Sequence, residues 1–260
     1  DLTLELDPGA GAWGATDYSS TTHQAESAFN LPTNNDVSRA GYTLVGWSTD
    51  PSGKAATADA SQSIADALAL ITGNTPQNGG ANYTRVATTP DGITYTFYTP
   101  GYTMPTTSQK LYAVWRANNN SLNFVAGTYA TPAEGQGTSA LHSTDSQFTL
   151  PTGDAFTRGG YTLVGWARSS DGASATGRAS QTTAATLAAI TGDEFYAGGA
   201  HWTLVATWNG SAYVYATDIA YLVPSANQTL YAVWRANDDT TYFVDHIRFD
   251  GNGTEKETIT

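Results

Sequence analysis

The clearest periodicity in the chain lies in Gly41-Tyr42-Thr43-Leu44-Val45-Gly46-Trp47. In an extended strand Tyr42 and Leu44 fall on one face, Val45 and Trp47 on the other. Apolar groups on both faces predict a central strand covered above and below. Leu111 to Trp115 reads the same way. Shorter strands are expected at Leu2 to Leu6 and at Phe29-Asn30-Leu31, the latter stopped by Pro32. Between the two strong strands the period changes. Ile64, Leu68 and Ile71 form an i, i+4, i+7 stripe, which predicts one helix. Ser63 and Asp66 supply a capping box, and Gly73 a left-handed stop. Tyr83 to Thr88 and Ile93 to Tyr98 then alternate around Pro90-Asp91-Gly92, the pattern of a hairpin.

The whole pattern recurs. Gly160-Tyr161-Thr162-Leu163-Val164-Gly165-Trp166 repeats the first strong strand 119 residues later. Leu230 to Asn237 repeats Leu111 to Asn118 at the same offset, as Phe148, Leu150 and Pro151 repeat Phe29, Leu31 and Pro32. Thr182, Leu187, Ile190 and Gly192 mark the second helix, and Asn209-Gly210 turns the second hairpin. Two units are therefore expected, residues 1–119 and 120–238. Residues 239–260 follow as the start of a further unit or a docking strand. Each unit is expected to be α+β, a small mixed sheet with one helix and an extra hairpin packed on it.

Composition narrows the function classes. Only 13 % of the 260 residues are charged and 40 % are apolar, with 7 Trp and 15 Tyr. So many aromatics argue against disorder. The formal net charge of −12 repels phosphate backbones and anionic lipid, so neither nucleic acid nor a membrane surface is an expected partner of this segment. No cysteine is present, which excludes a disulfide framework, a thiol nucleophile and a thiolate metal site. No apolar run approaches the ~20 residues needed to span a bilayer. The opening at Asp1 without Met suggests a segment whose targeting signals lie elsewhere.

Candidate chemistry is sparse. His23 and His142 correspond between units, each three residues before an acid, Glu26 or Asp145. Neither has a nucleophile or third ligand near it in sequence, so a loop hydrogen bond is the plainer reading. Asp250-Gly251-Asn252-Gly253 lacks the spaced acids of a calcium loop and reads as a turn. Lys54 and Lys110 correspond to Ala173 and Thr229 in the second unit, so a Lys–Asn cross-link cannot be shared by both. No catalysis, metal or cofactor is expected. Trp47, Trp115, Trp166 and Trp234 sit in the strongest strands and are expected to be core. Trp202 and Trp208, on the second hairpin, and Trp13, in a Gly-rich loop, are the candidates for an exposed ligand-binding surface.

The Gly-Tyr-Thr-Leu-Val-Gly-Trp segment, the preceding Leu-Pro pair and the later Leu-Tyr-Ala-Val-Trp together resemble the Listeria–Bacteroides repeat, also called the internalin B-repeat. The resemblance implies tandem modules of a secreted bacterial cell-surface protein with a β-grasp fold and no known catalysis. Typical members keep few residues between the two strands, whereas residues 54 to 109 intervene here. A stalk or spacer with adhesive function is the expected role. The alternative is a carbohydrate- or protein-binding module that uses hairpin aromatics. The expected partners are a host or cell-wall glycan or protein, and neighbouring repeats of the same chain.

Overall fold

The computed structural model describes residues 1–49, 57–58, 83–168, 176–177, 202–209, 211–215, 220–237, 246–249 and 255–259. The chain divides into two compact units. Unit 1 holds residues 1–125, 137–150 and 217–230; unit 2 holds 126–136, 151–216 and 231–260. Unit 1 thus contains the whole first repeat and also takes in the opening strand and one edge of the second.

The sheet of unit 1 runs in the order Ser20–His23, Leu2–Asp7, Gln109–Ala117, Tyr42–Ser48, Tyr83–Arg85. Leu2–Asp7 pairs parallel with Gln109–Ala117, with Leu6 opposite Leu111, and the other neighbours on this path are antiparallel. Tyr42–Ser48 is central and buried along its whole length, as its two apolar faces require. One detail departs from simple alternation. Trp115 lies opposite Leu44 and Val114 opposite Gly46, so Val45 is the extra residue of a bulge. A bulge shifts the phase of the strand by one. Trp47 therefore lies opposite Ala113, on the same face as Leu44 and Tyr42, and not with Val45. The carbonyl that the bulge exposes is not wasted, because Val86 N–H donates to Val45 O at 2.8 Å.

That face is the core. Leu4, Leu6, Leu44, Trp47, Leu111 and Trp115 pack together on it. Two short ribbons close it. Ala12–Trp13 pairs with Val37–Ser38, and Ala28–Asn30 pairs with Gly101–Thr103. They bring Val37, Tyr102 and Met104 into the same cluster. The α+β expectation is corrected at this point: among the described residues every regular element is a strand, and the fold is all-β. Sequence reasoning gave the covering role to a helix, but the described cover is built from strand ribbons whose residues (Thr, Val, Tyr, Phe) favour a pleated surface. The helices expected over 63–73 and 182–192 lie outside the described residues.

Unit 2 repeats the plan. Ala130–Pro132, Phe156–Arg158, Tyr161–Ala167 and Gln228–Ala236 are successive neighbours, and Trp202–Leu204 pairs with Tyr161–Ala167. Leu163 faces Trp234 and Gly165 faces Val233, so the bulge recurs at Val164. Val205 N–H donates to Val164 O at 2.9 Å, as Val86 does to Val45. The hairpins are shorter than their sequence patterns. Ala87–Thr88 pairs with Thr96–Phe97, and Ala206–Trp208 with Tyr213–Tyr215. Tyr83–Arg85 and Trp202–Leu204 instead pair with the bulged strands. In the tail, His246–Phe249 and Glu255–Ile259 form a ribbon with each other.

Candidate functional site

The four strand tryptophans are structural. Each is at most 1 % exposed, and each indole N–H donates to a backbone carbonyl. Trp47 reaches Pro32 O at 2.9 Å and Trp166 reaches Pro151 O at 2.8 Å. Trp115 reaches Pro8 O at 3.0 Å and Trp234 reaches Ala126 O at 2.8 Å. Such bonds remove the cost of burying a polar N–H. Trp13 stacks on Trp47 with centroids 6.0 Å apart and leans on Tyr18 at 5.8 Å. Its ring is half-buried and packs against the core. Trp202 pairs with Ala167 and Trp208 with Tyr213 along the backbone; their side chains lie outside the described residues. The structure does not bring the three together as one described surface.

A polar joint, which sequence reasoning missed, lies inside unit 1 where the first repeat meets the second. Gly41 sits at φ +76°, and a Cβ there would stand 2.6 Å from Thr144 Cγ2 and 2.7 Å from Ser225 Cβ. Only glycine permits both the left-handed backbone and the close approach. Next to it the Tyr42 hydroxyl donates to Asp145 Oδ2 at 2.6 Å, and the Arg39 guanidinium lies 3.6 Å over the Tyr42 ring. Burial, and then the bond to the Asp145 carboxylate, push the Tyr42 hydroxyl up to about 12.

The backbone continues the joint. Asn118 N–H donates to Gly41 O, and Thr144 N–H donates to Asn118 O, each at 2.9 Å. The Asn118 side chain accepts from Thr43 Oγ1 at 2.9 Å and from the Tyr95 hydroxyl at 2.8 Å. Asn120, buried, donates to Thr144 Oγ1 at 2.9 Å and to Pro224 O at 3.0 Å. Asp145 itself is held at φ +61°, with its N–H on Val223 O at 2.9 Å. None of the side chains named in this network has a buried nitrogen or oxygen without a partner, so the network favours one geometry. The only sequence signals were the repeated Gly-Tyr pair and the repeated Arg-Ala-Asn.

The histidines do not face the acids three residues on. His23 stacks on Phe29 at 3.7 Å and shares a 2.9 Å hydrogen bond with Thr21 Oγ1. His142 leans on Phe148 at 4.3 Å, and burial lowers its pKa. Among the described residues no group of three His, Asp or Glu side chains stands at metal-binding distance. Lys110 forms a solvent-exposed ion pair with Glu5 at 3.3 Å.

One groove has the chemistry of a ligand site. Two adjoining depressions of about 300 and 380 Å³ share Thr33, Tyr98 and Thr99. Tyr18 and Asp36 border one, and Asn35 and Phe97 the other. Phe97, on the first hairpin, is 59 % exposed. An exposed ring beside amide and hydroxyl groups is the arrangement that takes a neutral polar ligand by stacking. The hairpin tip is fixed by Asp91, whose carboxylate accepts from Thr94 N and Ile93 N at 2.8 and 2.9 Å; those bonds lower its pKa.

A family model described as the Listeria–Bacteroides repeat domain matches residues 11–72 and residues 128–190. The two matches stop short of Gln109–Ala117 and Gln228–Ala236. No curated protein and no solved structure matches the chain.

Proposed function

Because the chain carries two tandem Listeria–Bacteroides repeat domains, we propose that it serves as a stiff spacer in a bacterial cell-surface protein, holding an adhesive part away from the wall. The observation that carries this reading is the joint. Gly41 and Tyr42 of the first repeat interlock with Thr144, Asp145 and Ser225 of the second inside one compact unit. A spacer transmits length only if its joints do not hinge, and a satisfied polar network with no free linker supplies that stiffness. The low charge and the lack of cysteine suit an extracellular segment that relies on packing for stability.

The chain's lack of cysteine makes the test direct. Ile93 and Leu141 are 53 % and 54 % exposed and lie in different repeats of unit 1. Nitroxides placed on Ile93→Cys and Leu141→Cys should give one narrow distance distribution by pulsed electron resonance, and Gly41→Val should broaden it. A broad distribution in the otherwise unaltered protein would overturn the spacer reading.

The groove at Phe97 supports a second reading, in which this face binds a host or cell-wall glycan. A glycan array probed with the protein should then show a signal that Phe97→Ala removes. An array with no signal speaks against it.

A further inference from the structure

The joint has two halves, and each half occurs twice in the chain. The receiving half is Arg39, Gly41, Tyr42 and Asn118. At the same offset the second repeat carries Arg158, Gly160, Tyr161 and Asn237, built in the same way. Gly160 has φ +74° against +76° for Gly41. Asn237 N–H donates to Gly160 O at 2.9 Å, and Thr162 Oγ1 donates to Asn237 Oδ1 at 2.8 Å. The Arg158 guanidinium lies 4.0 Å over the Tyr161 ring.

The inserted half is the turn around Asp145. The first repeat carries its counterpart around Glu26. Glu26 has φ +63° against +61° for Asp145. Glu26 N–H donates to Met104 O at 2.8 Å, as Asp145 N–H does to Val223 O. Met104 N–H donates to Ser27 O at 3.0 Å, as Val223 N–H does to Ser146 O. Both turns present a carboxylate from a left-handed residue, a conformation that non-glycine residues rarely adopt.

What differs is occupancy. Tyr42, Thr43 and Ala117 are buried, Tyr42 against Asp145 of the second repeat, whereas Tyr161, Thr162 and Ala236 are partly exposed. Arg158 Nε has no hydrogen-bond partner among the described residues. On the inserted half, Thr144 is 4 % exposed, whereas its counterpart Ala25 is exposed; Glu26 is exposed, as Asp145 is. The second repeat therefore carries a built receiving surface, cationic and hydroxyl-bearing. The first repeat carries an exposed acidic turn of the matching backbone shape.

We propose that the Arg158–Gly160–Tyr161 surface is a docking site for the Glu26 turn of a second copy of this chain, with the Tyr161 hydroxyl donating to the Glu26 carboxylate as Tyr42 does to Asp145. The contact is heterologous, so copies add head to tail, into a ring or an open chain, and do not pair off as a two-fold dimer. It rests on the spacer reading only in taking the joint as the unit of assembly.

Sedimentation equilibrium on the full chain up to about 1 mM tests it. Unlinked halves bind without the effective concentration that covalent tandem linkage supplies, so weak association is expected. The average mass should rise with concentration without stopping at a dimer. Glu26→Lys, which removes the acidic turn, and Gly160→Ala with Tyr161→Phe, which blocks the receiving surface, should each leave a monomer with an unchanged far-ultraviolet circular dichroism spectrum. An equimolar mixture of the two variants should form a one-to-one dimer, because one free half of each kind remains. A wild-type chain that stays monomeric, association that survives either variant, or a mixture that fails to pair would each overturn the proposal. A monomeric wild type with a narrow nitroxide distribution would sink this proposal and leave the spacer reading standing.

Discussion

Gly41-Tyr42 and Gly160-Tyr161 are the same dipeptide on the same turn, with nearly the same φ and the same arginine over the ring. Yet Tyr42 is 9 % exposed with its hydroxyl pushed up to about 12, while Tyr161 is partly exposed. Local sequence thus dictates local geometry in both repeats. Burial is set by what rests on that geometry, which among the described residues is the edge of a following repeat at Tyr42.

Substitutions in the part that the two repeats share should have equal effects. Trp47→Ala and Trp166→Ala should each cost about 3–5 kcal/mol, because both rings are fully buried and hydrogen-bonded. Thermal melts read this directly. If Trp47→Ala melts like the wild type, the core assignment is wrong.

The glycines break the symmetry. A residue with a Cβ costs about 1–2 kcal/mol in the left-handed region at either position. At Gly41 it also collides with Thr144 and Ser225, which adds about 1–3 kcal/mol of overpacking. Gly41→Ala should therefore destabilise more than Gly160→Ala in urea titrations. Equal losses would mean that the joint contributes no packing.

A finer cut is Tyr42→Phe, which removes only the hydroxyl. Losing a hydrogen bond to an exposed carboxylate should cost about 1 kcal/mol at most, and Tyr161→Phe less than about 0.5. The raised pKa of Tyr42 gives the same bond a pH signature. In the unfolded chain this tyrosine ionises near 10, whereas in the fold it stays protonated until about 12. Its contribution is therefore whole below pH ~10 and is lost as pH rises toward 12. The wild type should lose more stability over that window than Tyr42→Phe does, and parallel curves would contradict the bond.

The smallest effect belongs to His142, whose pKa burial lowers. Its contribution is present above pH ~6.5 and declines as pH falls below that value, because the unfolded state takes up the proton first. His142→Phe should flatten that decline in melts between pH 7 and pH 5, and an unchanged slope would place the acid sensitivity elsewhere.

The repeat, the buried strand tryptophans and the central place of Tyr42–Ser48 were legible in sequence, because they are carried by periodic apolar positions. The bulge was not. Gly46-Trp47 continues a plausible alternation, and only the cross-strand partner reveals that Trp47 has changed face. The fold class was misjudged because a covering layer was expected from helical spacing, whereas the described cover comes from ribbons that pair residues such as Phe29 and Tyr102, far apart in sequence. The joint was invisible for a related reason. Tyr42 and Asp145 are separated by 103 residues, and no local pattern marks a hydroxyl that will meet a carboxylate.

Amide hydrogen exchange at Thr144 tests the joint most directly, since its N–H donates across it to Asn118 O. If the first repeat is locked onto the edge of the second, this amide should exchange as slowly as those of the central strand Tyr42–Ser48, and Gly41→Val should release it while that strand stays protected. Exchange at the rate of open loops in the unaltered protein would contradict the claim that the joint is closed.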